Sequence, residues 1–288
     1  MKAKISDIVL GSLVADTYSL GAHWIYDKNE IENSTLNWDG LNAPLASWHD
    51  TKDKGDFTHY GDQLVCFYEY VLKNESYDSA GYIKVWQTYM ETYTGYIDGA
   101  TKNTLENLSL NKALPCGSSS TDLSVVGRIA PLLKMSQNEE EFLNNVDSFV
   151  CLTHNSDIVK QTASFFAQVL WQVYNDDKSI LECIKEVKKS SGVKIKVFVD
   201  DALNCRLETT DALNSFGLAC SVTDGFSGVI FLLNKYENDF ETALIQNAKA
   251  GGDSSARGMI IAMLMVAAYG SDIIPNNWCD EMNYSLKQ

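Results

Sequence analysis

The chain has 288 residues, 45% of them hydrophobic, and a net charge of −15. That length and apolar content suffice for a large core, in one large domain or two tightly packed ones, and with no Pro-, Gly- or Ser-rich linker to cut the chain, 1–288 is read as one domain. The charge repels a phosphate backbone or an anionic bilayer, which argues against nucleic acid and membrane surfaces as partners.

Four prolines, at 44, 115, 131 and 275, leave long helical patterns uninterrupted. From Lys4 to His23 the apolar stripe Ile5, Val9, Leu13, Leu20 has helical spacing, and Asp16 projects into it. Residues 62–72 read as a helix, and 79–96 as an aromatic-rich one on Tyr82, Trp86, Tyr89 and Tyr93. Residues 98–120, with Gly99, Pro115, Gly117 and a serine run, read as loop. Helices follow at 157–174 and 178–190. Val193, Ile195, Val197 and Val199 alternate with lysines as a strand would, but one strand makes no sheet, so this is read as a helix start or an isolated extended piece. Residues 218–234 and 238–249 read as helices and 253–270 as a buried one, giving an all-α class. The longest apolar run, Met259 to Tyr269, is too short to cross a bilayer.

Seven scattered cysteines without a Cys-x-x-Cys pair, and no leader-like start, predict reduced thiols and a cytoplasmic location. The four histidines, 23, 49, 59 and 154, are not at zinc-ligand spacing.

Two stretches stand out, His59-Tyr60-Gly61-Asp62-Gln63 and Gly251-Gly252-Asp253-Ser254-Ser255-Ala256-Arg257-Gly258. Each puts an aspartate just before an apolar run, where helix N-termini orient a carboxylate. Capping alone explains either one; the paired glycines before Asp253 add a loop that a ligand or metal could approach. Asp16, on an apolar stripe, needs either an arginine partner (Arg128 or Arg257) or a place in a site. Arg257, entering an apolar helix, needs an anionic partner. Thr153-His154-Asn155-Ser156 reads as a capping turn or as a ligand contact through His154.

In order along the chain, these residues resemble the ADP-ribosylglycohydrolase family, the group that includes the enzyme removing ADP-ribose from dinitrogenase reductase. Gly11 to Ala22 is similar to its opening Gly-Asp-Ala-x-Gly helix, and Tyr60-Gly61-Asp62-Gln63 falls on its Thr-Asp-Asp-Thr. Arg128-Ile129-Ala130-Pro131-Leu132 falls on its Arg-x-x-Pro-Leu, Thr153-His154 on its Thr-His turn, and Gly251 to Ala256 on its Gly-Gly-Asp-Thr-Asp-Thr. The resemblance implies an orthogonal bundle of helices and hydrolysis of an N- or O-glycosidic bond of an ADP-ribose-like ligand or an ADP-ribosylated protein. In the family a pair of magnesium ions is held by the acids and threonines of the two aspartate motifs. Here Asp16, Asp62 and Asp253 are then the expected catalytic acids. Asp62, Asp253 and Ser255 are the metal ligands for one Mg2+ or none. Ser118, Ser119, Ser120, Arg128, His154 and Arg257 are the substrate contacts. This chain departs from the motifs at Tyr60, Gly61, Ser255 and Ala256, and with Arg257 it is similar to the branch that holds jellyfish lens crystallins. Arg257 could there stand in for a cation on Asp62 or Asp253. The alternatives are a non-catalytic, crystallin-like relative, which a carboxylate–Arg257 salt bridge would favour, and a metal-free glycosidase built on two acids.

Overall fold

The computed structural model describes residues 2–176 and 178–286. Two helices form its axis, α1 (Ile5–Ser19) and α13 (Ser254–Tyr269). Both are apolar on nearly every face, as expected of helices enclosed by others, and α13 is buried from Ser254 to Ala267. Small residues let the two backbones meet. A methyl group on Gly11 would stand 2.7 Å from Val266 Cγ2, and one on Gly258 3.1 Å from Ser19 Oγ. Ser12 and Ser19 donate across this seam to the carbonyls of Met259 and Ser254, each at 3.3 Å.

Amphipathic helices wrap the pair. In chain order they include α2 (Lys28–Glu32), α3 (His59–Lys73), α4 (Ser79–Glu91), α5 (Gly99–Ser109), α6 (Glu139–Val150) and α7 (Asp157–Asn175). Then come α8 (Ile180–Ser190), α9 (Val193–Asn204), α10 (Thr209–Phe216), α11 (Val222–Tyr236), α12 (Phe240–Ala250) and the short α14 (Asn276–Asp280). Side-chain caps start many of them: Asp78 for α4, Asp98 for α5, Asn138 for α6, a Ser179/Glu182 capping box for α8 and Asp239 for α12. No strand occurs among the described residues, only two isolated bridges, Ser118 to His154 and Asp122 to Ser221.

The expected all-α class holds, with local corrections. The segment read as loop over 98–120 contains α5, whose polar sequence buries only Ala100, Thr101 and Thr104. The valine alternation is α9, with Ile195 and Val199, four apart, facing inward while Val193 and Val197 are exposed. The helix read from 62 starts at His59, and the one read to 96 stops at Glu91. The helix read from 218 starts at Val222, and α6 and α10 were not foreseen.

Candidate functional site

The N-termini of α3 and α13 lie together because one buried acid of α1 ties them. Asp16 accepts the backbone N–H of Thr58 at 2.8 Å, the Thr58 hydroxyl at 2.6 Å, and the Ser255 hydroxyl in a very short bond. Thr58 is in turn the N-cap of α3, taking Tyr60 N–H at 3.1 Å. Gly61 is what makes room: a methyl group there would overlap Asp16 Oδ2 and stand 2.8 Å from Phe57 Cβ. Burial pushes the Asp16 carboxyl up to about 6, against the opposing pull of its Ser255 and Thr58 bonds. Neither Arg128 nor Arg257 is its partner.

The loop before α13 is shaped by two glycines at positive φ, 73° at Gly251 and 61° at Gly252. Gly252 exchanges backbone bonds with Trp24 (2.8 Å) and Ile25 (2.7 Å), and Asp253 N–H reaches Leu218 O at 2.8 Å. Asp253 is the N-cap of α13, its Oδ1 taking Ala256 N–H at 3.1 Å. Its Oδ2 accepts the Tyr60 hydroxyl at 3.1 Å, and the same hydroxyl lies 3.3 Å from Asp122 Oδ2. Burial first, and the Asp122 carboxylate next, push Asp253 up to about 7. Ligand atoms of Asp122, Cys220 and Asp253 all lie within 4.8 Å of one another.

All four histidines gather around these acids, although their spacing in the chain gave no sign of it. His23 Nδ1 is 3.6 Å from Asp253 and His59 Nε2 is 3.3 Å from Asp98. The His49 ring centre is 5.2 Å from that of His23 and 5.9 Å from that of His59. Trp24, held at φ 62°, stacks on His23 and His49. Burial lowers His23 far below its usual value, His49 to about 3 and His154 to about 4. Burial works the other way on Asp98, but His59 and the Thr101 N–H hold that carboxyl below the ordinary carboxylate range.

The other expected residues lie as follows. Asp62 sits in the first turn of α3 rather than at its cap. Its Oδ2 accepts both Lys52 Nζ and the Tyr93 hydroxyl, each at 2.5 Å. It lines a cavity of about 210 Å³ with Lys52, Phe57, Tyr89 and Tyr284. Arg257 forms no ion pair with either acid. Its Nε donates to Asn247 Oδ1 at 2.9 Å and an NH2 to Gly251 O at 2.6 Å, closing the C-terminal end of α12. Its stem runs past Gly228, where a methyl group would stand 3.1 Å from Arg257 Cδ. Arg128 is buried and donates to Gln63 Oε1 at 2.7 Å. His154 Nδ1 pairs with Thr153 Oγ1 at 2.9 Å. Ser118 donates to Thr153 O at 2.9 Å, Ser120 Oγ takes Asp122 N–H at 3.2 Å, and Ser119 is exposed. The structure thus brings together Asp16, Ser255 and Asp253 with the unforeseen Tyr60, Asp122, Cys220 and His23. Asp62, Arg128 and Arg257 spend their hydrogen bonds elsewhere, on Lys52 and Tyr93, on Gln63, and on Asn247 and Gly251.

These donors do not fit a pair of magnesium ions. Asp62 is held by an ammonium, the Ser255 hydroxyl by Asp16, and one oxygen of Asp253 by a backbone N–H. The one convergent group among the described residues, Asp122, Cys220 and Asp253, could hold a metal ion but mixes two carboxylates with a thiol. Magnesium takes oxygen ligands, whereas a sulfur donor selects softer ions.

An all-helical bundle in which one buried acid of α1 ties the starts of α3 and α13 together is the frame of this site. A solved structure titled "ADP-ribosylglycohydrolase-related protein complex" superposes with a TM-score of 0.77 at 16% identity, covering 97% of this chain and 92% of that one, which shows the shared fold. Crystallin J1A of Tripedalia cystophora is 23% identical and Crystallin J1B of the same animal 24%, each alignment covering 96% of this chain and 91% of the relative. The family described as ADP-ribosylglycohydrolase matches residues 1–288. The chain belongs to the ADP-ribosylglycohydrolase family.

Proposed function

We propose that this chain is a glycohydrolase-type hydrolase of an ADP-ribosyl or related ribosyl substrate, working on the carboxylate pair Asp122 and Asp253 rather than on two magnesium ions. The observation that carries the reading is Tyr60, whose hydroxyl touches both acids. Asp253, brought up to about 7, holds a proton it can deliver to the leaving group. The oxygens lie within 4.8 Å, closer than the roughly 6.5–9.5 Å that an inverting pair leaves for a water. The reading therefore makes Asp122 the nucleophile at the ribosyl carbon and Asp253 the acid, then the base, of a retaining hydrolysis. Asp16 positions both helix starts. Of one magnesium ion or none, the reading takes none. The reading takes the ligand in past Tyr26, Ser119, Ser120 and Cys220, which keep some exposure, while Asp253 itself is 1% exposed. The reading assigns the ligand's phosphates to Ser119 and Ser120, because Arg128 and Arg257 are committed to Gln63 and to the end of α12.

The test is release of ADP-ribose from an ADP-ribosylated peptide, with and without EDTA, in the wild type and in Asp253→Asn. Release that survives EDTA and falls at least about 100-fold in the variant supports the reading. Release that requires added magnesium sinks it. The near-complete burial of Asp253 favours a second reading, a non-catalytic relative; no release, and no binding of ADP-ribose by calorimetry, selects it.

A further inference from the structure

We infer that Lys52 is a built-in cation that takes the place of a divalent ion on the first acidic motif, leaving Asp62 closed to magnesium in the folded chain. Asp62 is the one acid that this motif keeps. Its Oδ2 already receives two donors, Lys52 Nζ and the Tyr93 hydroxyl, both at 2.5 Å. Both charged side chains are only 14% exposed, so water competes little for either. The second carboxylate that an ion would need is missing by construction. Residue 61 is a glycine, the space beside it is filled by Asp16, and Asp16 is bound to Thr58 and Ser255.

The charge balance points the same way. One carboxylate against one ammonium is neutral, and a dication added there would leave an excess of two positive charges in a poorly solvated place. The lysine is also held in position by its chain. Its backbone N–H bonds His49 O at 2.9 Å, at the end of a 3₁₀ turn (Ser47–His49), and its ammonium lies 5.9 Å from the centre of the Tyr93 ring. Lys52 thereby fastens the 47–57 segment to α3 and to the chain just beyond α4, the fastening that a metal would otherwise supply.

The inference rests on family membership and not on the activity proposed above; its readout is melting, so either can fail alone. Thermal melts at constant ionic strength, with 0 and 10 mM MgCl2, are compared for the wild type, Lys52→Met, Asp62→Asn and the double variant. The wild type keeps its Tm on adding magnesium. Lys52→Met melts lower, and magnesium brings back about 2 °C, the effect of a millimolar site at tenfold excess. That recovery is absent from the double variant. A wild-type rise that vanishes in Asp62→Asn overturns the inference, as does a Lys52→Met protein that magnesium leaves unchanged. If Lys52→Met does not fold, Lys52→Arg decides: it keeps the cation and must stay insensitive to magnesium, and a shift there overturns the inference.

Discussion

Replacing Asp16 by alanine removes the tie between the two motif helices, and the structure sets the size of the loss. Three buried donors lose their acceptor: Thr58 N–H, the Thr58 hydroxyl and the Ser255 hydroxyl. Left unsatisfied in the interior, buried donors cost roughly 1–3 kcal/mol each, about 6 kcal/mol together. Against this, Asp16 is ionised at pH 7 although burial has moved it from 3.8 to about 6. At about 1.4 kcal/mol per pH unit that is a penalty of about 3 kcal/mol, which the alanine relieves. The net loss is about 3 kcal/mol. A chain of this length unfolds with an entropy of roughly 0.6 kcal/mol/K, so the Tm should fall by about 5 °C at pH 7. The pH dependence adds a sign. A raised carboxyl pKa brings stability as pH falls through the folded value, so the wild type gains about 1 kcal/mol by pH 5 that the variant lacks. The gap should widen to about 7 °C there. Calorimetric melts at pH 7.5, 7 and 5 measure both. An Asp16→Ala protein that melts with the wild type, or a gap that narrows on acidification, would refute the reasoning.

Gly61→Ala should be at least as damaging as that, about 3–5 kcal/mol, because its methyl group is directed into Asp16 and Phe57 and cannot turn aside; a denaturant midpoint equal to wild type would contradict the packing. The whole chain should melt about 3 °C lower at pH 5 than at pH 7.5. His23, His49 and His154 are held neutral in the fold, so the stability they bring above pH 6.5 is lost as the unfolded rings take protons below it, and three rings outweigh the opposing gains of Asp16, Asp253 and Asp62, whose carboxyls burial raises. A Tm that rises over that interval would show that the carboxyls dominate.

What the sequence disclosed, and what it did not, follows from how local each signal is. The helices of the core announced themselves because Val159, Ala163, Phe166 and Leu170 must all lie on one buried face. α5 did not, since Ala100, Thr101 and Thr104 are too few and too polar to mark a stripe. The valines of α9 misled because alternate apolar residues over one short run also satisfy a helix at i and i+4. At the site, Asp253 was legible as a cap after two glycines, and Asp16 as an acid out of place. Its partners were not: Thr58 lies 42 residues and Ser255 239 residues away, and only the fold decides that they, rather than an arginine, meet it. Tyr60 bridging Asp122 to Asp253, Lys52 on Asp62, and four histidines from four segments are likewise products of topology, with no spacing to betray them.

The slot in which Arg257 lies has a bearing on how such a protein can change over time. The stem of Arg257 passes Gly228 and Gly225 so that its guanidinium reaches Asn247 and Gly251, and a methyl group at 228 would also stand 2.9 Å from Leu213 Cδ2. Positions 228 and 257 are therefore not free to drift independently. A lineage that shortens the arginine opens a void beneath the paired glycines until 228 acquires bulk, and one that enlarges 228 first expels the arginine. Each order of events passes through a poorer intermediate, so descendants should inherit the glycine and the arginine as one unit or exchange both.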